Sequence, residues 1–191
     1  MPEFGKTSGT QYPSRLLDQA HWFALKTRAR HERKVVSRLE AVGIRTFGAL
    51  VRVRREWTDR RKLVQVPLFP GYVFVHINLR EPGEVLSRPG VVDFVRMRGV
   101  PQPVRTTEMD AVALLVRGAT ASGELPSHDD YLVAGTSVVV TEGPFSGLTG
   151  VLAEHRGATR VVVRLNSLRQ ARGVSIPTRY VKRTRPLAPT G

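Results

Sequence analysis

Cysteine is absent from the 191 residues, which excludes disulfides, thiolate metal sites and cysteine nucleophiles together. Long apolar runs are missing too. The longest uninterrupted one, Ala111 to Val116, falls far short of the ~20 residues that span a bilayer. Residues 1–20 lack the apolar core of a signal peptide, so a cytoplasmic location without membrane contact is expected. The five histidines, at 21, 31, 76, 128 and 155, fit no His-Glu-x-x-His or paired-ligand spacing, and there is no Gly-x-Ser-x-Gly elbow. No metal, no cofactor and no catalysis are therefore expected. Negative charge is scarce: 16 Asp and Glu stand against 30 Lys and Arg, a net charge of +14.

What is present is an uneven excess of positive charge. Residues 21–64 carry 13 basic and 4 acidic groups, net +9, and residues 131–191 carry 9 and 2, net +7. Between them, residues 65–130 carry 6 and 8, net −2. Clustered cations point to polyanionic partners, whereas spread charge argues only for solubility. Two basic blocks around a nearly neutral middle predict two surfaces facing nucleic acid and one facing something else. An apolar content of 41% is enough to fill ordinary cores.

Along the chain, the Gly-, Thr-, Ser- and Pro-containing stretch 1–20 reads as a disordered leader. Trp22 to Thr27 reads as a mostly buried strand. From Ala29 to Val42, Val35, Val36, Leu39 and Val42 recur at spacings of three and four, a helical face, and Gly43 suits its left-handed end. The opposite face carries Arg28, Arg30, Arg33, Lys34 and Arg38. Ile44 to Trp57 and Leu63 to Ile77 read as limbs of a hairpin around the charged turn Thr58 to Lys62, with Pro67 and Pro70 marking an edge or a bend. A short helix at Glu81-Pro82-Gly83, a strand at Val91 to Met97 and a helix from Thr106 or Thr107 through Met109, Val112, Leu115 and Val116 complete a β-α-β-β-α-β-α order. This is an α+β fold with helices on one face of an antiparallel sheet. The polar stretch 119–130 reads as a linker, and five short strands between Ser137 and Arg183 suggest a small barrel. The predicted divisions are 1–20, 21–118, 119–130, 131–185 and a tail at 186–191.

Within the second domain, Glu142-Gly143-Pro144-Phe145-Ser146-Gly147-Leu148-Thr149-Gly150-Val151 places glycines where a tight strand-to-strand turn needs positive φ, with Phe145 free to plug the barrel. It is no phosphate loop, since no Gly-Lys-Ser/Thr and no helix follow. The stretch resembles a KOW motif, and the segment around it a KOW domain of the NusG family. Trp22, Pro67-Leu68-Phe69-Pro70-Gly71-Tyr72-Val73-Phe74-Val75 and Gly90-Val91-Val92-Asp93-Phe94-Val95-Arg96 resemble that family's NGN domain, over roughly residues 21 to 185 in the family's order. Thr141-Glu142-Gly143 and Arg160 to Asn166 look closest to the specialised RfaH and UpxY kind of antitermination paralog.

The resemblance implies a ferredoxin-like NGN domain followed by a small all-β, SH3-like KOW barrel. It also implies a monomeric, operon-specific transcription elongation and antitermination factor that binds the clamp helices of RNA polymerase and lies over the non-template DNA strand. Tyr72 and Phe74 share one parity in a strand, so their rings leave the same sheet face, and with Trp22, Phe69 and Pro70 they are the candidate polymerase contacts. By the same resemblance Arg28, Lys34 and Arg38, with neighbours Arg30 and Arg33, are candidate DNA contacts. Gly143, Phe145, Gly147 and Gly150 form the KOW turn, and Rho or ribosomal protein S10 are candidate KOW partners. Where an RfaH-like protein carries a His-Thr-Thr element, this chain has the acidic Glu81-Pro82-Gly83-Glu84. The run Val161-Val162-Val163 favours strand over helix.

Overall fold

The computed structural model describes residues 4–7, 10–57, 60–129, 131, 132, 134–155 and 158–184. Thr58 and Asp59 of the expected charged turn, and the tail at 186–191, lie outside the described residues. In chain order the elements are β1 (Phe4–Thr7), β2 (Thr10–Pro13), α1 (Ser14–Asp18), β3 (His21–Thr27), α2 (Glu32–Glu40), β4 (Arg45–Phe47), β5 (Leu50–Trp57), β6 (Arg60–Pro67) and β7 (Tyr72–Ile77). There follow α3 (Pro82–Leu86), β8 (Val91–Phe94), β9 (Arg96–Met97), β10 (Val100–Pro101), β11 (Pro103–Val104), α4 (Thr106–Ser122) and β12 (Ser127–Asp129). The chain ends in β13 (Ser137–Val140), β14 (Thr149–His155), β15 (Ala158–Leu165), β16 (Gln170–Ser175), a 3-10 turn at Thr178–Tyr180 and β17 (Val181–Arg183). The fold is mixed α+β, with every strand pairing antiparallel.

The chain forms two compact units. The first comprises 1–49 and 69–106, the second 50–68 and 107–191. In the first unit the sheet runs β11-β3-β7-β4, and β8 pairs with Leu25 to Thr27 at the end of β3, the register shifting between Lys26 and Thr27. One sheet face presents Phe23, Leu25, Val73 and Val75, which pack with Val35 and Leu39 of α2, Val85 of α3 and Phe94 into one buried cluster. Of the predicted helix face Val35 and Leu39 are buried and Val36 is half-buried, but Val42 lies beyond the end of α2 and is exposed; α2 is shorter than 29–42 at both ends, and at its start Arg30 turns back at φ 61.

The leader expected over 1–20 is folded from Thr10 onward. Tyr12, Leu16 and Leu17 belong to that same core cluster. The Leu79 N–H donates to the Leu16 carbonyl at 2.7 Å, and Arg80 reaches the Leu17 carbonyl at 3.0 Å and the Asp18 carboxylate at 2.6 Å. Three apolar side chains in a polar stretch suffice when a sheet edge nearby offers them a partner.

In the second unit, strands run in the order β12-β16-β15-β14-β13-β17. Val161, Val162 and Val163 lie buried in β15, as β-branched residues favour. The expected linker over 119–130 is mostly structured: α4 continues to Ser122, and β12 adds to β16, its Asp129 carboxylate 2.9 Å from Arg160. The hairpin exists as β5–β6, but its return limb stops at Pro67, and β7 enters the other unit's sheet. Arg172, buried in β16, donates from Nε to the Leu68 carbonyl at 2.7 Å, and the Arg52 N–H reaches Thr120 Oγ1 of α4 at 3.2 Å. These bonds place the hairpin and α4 with the C-terminal strands.

Candidate functional site

The cationic side chains ahead of and along α2 all reach solvent. Arg28, Arg30, Arg33, Lys34 and Arg38 are exposed. Among the described residues, the side chains of Arg28, Arg30, Arg33 and Lys34 make no hydrogen bond or ion pair, so their charges are open to an external anion. Arg38 differs: its guanidinium donates to the Pro89 carbonyl at 2.5 Å and so also holds the loop in front of β8. Gly90 in that loop sits against α2, where a Cβ would come 3.0 Å from Val35 Cγ2, and its φ of 98 excludes most other residues.

The second face of the same sheet carries the aromatic residues. The register places Tyr72 beside Lys26, Phe74 between Ala24 and Phe47, and His76 between Trp22 and Arg45. Phe69, in the turn before β7, meets Phe74 edge to face at 6.1 Å. None of Ala24, Phe69 or Phe74 belongs to the cluster beneath the helices. The shared parity of Tyr72 and Phe74 holds, but their exposure differs. Phe74 and Phe69 are 0% and 1% exposed, Tyr72 and Trp22 are half-buried, and Pro70 is exposed. Phe69 and Phe74, expected as polymerase contacts, are therefore buried in the fold and offer a partner no surface; Trp22, Pro70 and Tyr72 are the expected contacts that meet solvent.

Trp22 is held from two sides. The His76 ring lies 5.1 Å away and the Arg45 guanidinium 5.2 Å over the indole. Burial first, then the neighbouring Arg45 guanidinium and the His21 ring, hold the His76 pKa below the usual imidazole value.

One residue joins the two faces. Glu32, buried at the start of α2, accepts the Gly71 N–H at 2.7 Å, while the Thr27 N–H donates to the Gly71 carbonyl at 2.8 Å. The Arg28 N–H in turn bonds the Gly90 carbonyl at 2.9 Å. The aromatic turn and the base of the cationic helix are thus one hydrogen-bonded assembly. Sequence reading missed Glu32 and Arg45. A lone acid opening a cationic helix was the available signal for Glu32; Arg45 gave none, because its cross-strand neighbour is set by register.

In the second unit the predicted turn is formed. Gly143 and Gly147 take φ values of 80 and 85, and the Gly147 N–H bonds the Val140 carbonyl at 2.8 Å. Gly150 is needed for space instead, since a Cβ there would lie 2.6 Å from the Val162 carbonyl oxygen. Phe145 is buried, with its ring against Gly118 of α4.

A family model described as transcription termination factor nusG matches residues 20–113. The transcription termination/antitermination protein NusG of Thermus thermophilus is 30% identical over 164 residues, covering 75% of this chain and 89% of the relative. The chain belongs to the NusG family. The NusG protein of Bacillus subtilis is likewise 30% identical, over 149 residues that cover 71% of this chain and 82% of that one. A solved structure titled "Domain interaction in Thermotoga maritima NusG" covers 87% of this NusG-family chain and 98% of its own, with 27% identity and a TM-score of 0.47. Among the described residues no helix is long and apolar enough to cross a membrane, and no group of three or more His, Cys, Asp or Glu side chains could hold a metal ion.

Proposed function

We propose that this chain is a transcription elongation factor that acts by binding and breaks no bond. It docks on the clamp helices of RNA polymerase with Trp22, Pro70 and Tyr72 as the contact surface, while the buried Phe69–Phe74 pair supports the turn and strand that carry them. From there Arg28, Arg30, Arg33, Lys34 and Arg38 meet the non-template DNA strand, holding the clamp closed and suppressing pausing and termination. The observation that carries this reading is the Glu32–Gly71 hydrogen bond at 2.7 Å, because it couples the two candidate surfaces within one unit.

The names of the relatives support a general role in termination and antitermination. An operon-specific antiterminator of the RfaH or UpxY kind is the narrower version of this proposal, resting on Thr141-Glu142-Gly143 and Arg160 to Asn166. The C-terminal β domain is proposed to recruit Rho or ribosomal protein S10 in the general version. The site of action is the cytoplasm.

In vitro transcription through an intrinsic terminator tests the core of it. The protein is expected to raise readthrough, and Trp22→Ala with Tyr72→Ala is expected to abolish both readthrough and polymerase capture. Unchanged capture by that folded double variant would overturn the docking assignment. Capture of ribosomal subunits without polymerase would instead favour a ribosome-associated RNA-binding protein.

A further inference from the structure

The β5–β6 hairpin is a sheet of its own: among the described residues its two eight-residue strands pair with each other and with no other strand. Its two faces differ. In the register, Val51 opposes Val66 and Val53 opposes Val64, and the alternation of a strand puts all four on one face. Val51 and Val53 are buried, and Val64 and Val66 are half-buried. The other face pairs Arg52 with Gln65 and Arg54 with Leu63. All four are exposed, and Leu63 reaches 59%, an unusual exposure for leucine on a face otherwise polar. Residues 50–67 hold six basic and two acidic groups, net +4. Among the described residues, Arg52, Arg54 and Lys62 make no side-chain hydrogen bond or ion pair.

We propose that this outer ribbon face is a second nucleic-acid contact, separate from α2, and that its ligand is B-form duplex DNA. A ribbon of eight-residue strands extends about 24 Å and its strands lie about 5 Å apart, which suits a major groove about 12 Å wide. Arginine supplies phosphate or guanine contacts, glutamine can pair with adenine, and an exposed leucine meets thymine methyl groups. A single strand is the poorer ligand, because the described side chains of the outer face, Arg52, Arg54, Leu63 and Gln65, include no aromatic platform on which unpaired bases stack. Duplex RNA is poorer still, since its major groove is too deep and narrow to admit a ribbon. The assignment does not depend on polymerase docking, and the ribbon and α2 lie in different units.

Fluorescence anisotropy with the full chain tests it, using a labelled 24-base-pair DNA duplex, the same length of single strand and the same length of RNA duplex across a salt titration. Arg52→Gln with Arg54→Gln should weaken duplex DNA binding about tenfold or more near 0.1 M salt and lower the log–log salt slope by about 2, two phosphate contacts being lost. Arg52→Lys with Arg54→Lys, which keeps the charge, should stay within about threefold of the unaltered chain. Duplex binding within twofold and an unchanged slope in the Gln variant would overturn the proposal, as would an equal loss on the single strand or RNA duplex. Should the double Gln variant fail to fold, each single Gln variant should lower the slope by about 1, and no change in either would overturn the proposal. Loss of readthrough with duplex binding intact would bear on the polymerase reading alone.

Discussion

Arg30 shows what a single position in this chain reconciles. It sits at φ 61, a conformation that costs an L residue about 1 kcal/mol or more, yet it carries one of the open cations before α2. Arg30→Gly should raise stability by up to about 1 kcal/mol in urea unfolding while weakening single-stranded DNA binding, a pair of opposed changes that neither a purely structural nor a purely electrostatic role would produce. His76 gives a residue-scale pH dependence. Its folded pKa lies below the unfolded value of about 6.5, so the unfolded chain binds more protons in that interval. Stability from this group is complete above pH 6.5 and is lost as pH falls through the folded pKa. Thermal melts between pH 5 and 7 should show this fall, and His76→Gln should flatten it. Asp93 has the same sign at lower pH. Burial alone would raise its pKa, but the Arg96 guanidinium and the Phe94 N–H bring it below the usual carboxylate range.

At the scale of elements, α2 and the glycine turn were readable because their signals are local. Helical spacing at Val35 and Leu39 predicts which face is buried whatever it packs on, and Gly143 and Gly147 have the positive φ their turn requires. α4 was readable as a helix but not as part of the second unit. Its Gly118 lies against the Phe145 ring and 2.8 Å, measured from a Cβ position, from the Pro144 carbonyl oxygen. Gly118→Ala should therefore destabilise the second unit by about 1–3 kcal/mol, although alanine is the better helix former, and a rise in chemical stability would show the contact to be dispensable. Glu32→Ala leaves the Gly71 N–H without its acceptor and should cost about 1–3 kcal/mol, read by denaturant unfolding. A loss of polymerase capture beyond that of an equally destabilised core variant would show that the coupling of the two surfaces matters in itself.

Over the whole molecule, the chain leaves the first unit after Ala49 and returns at Phe69, lending the hairpin between to the second. The buried Arg172 guanidinium holds the end of that excursion through the Leu68 carbonyl, and burial lowers its pKa. Arg172→Met should cost about 2–3 kcal/mol and raise hydrogen exchange in β6 before it affects β3 or β7, because a charged hydrogen bond to a buried carbonyl is removed from one unit only. By itself the sequence determined the segregation of charge, the apolar periods and the turn chemistry, all properties of neighbouring residues, and with them the family. Tertiary structure alone decided that Tyr12, Leu16 and Leu17 join a core, that Phe69 and Phe74 are buried while Trp22 and Tyr72 stay half-exposed, and that 50–67 packs with residues after 107. Each of those outcomes depends on a partner far away in the chain, and burial is a property of the pair that meets.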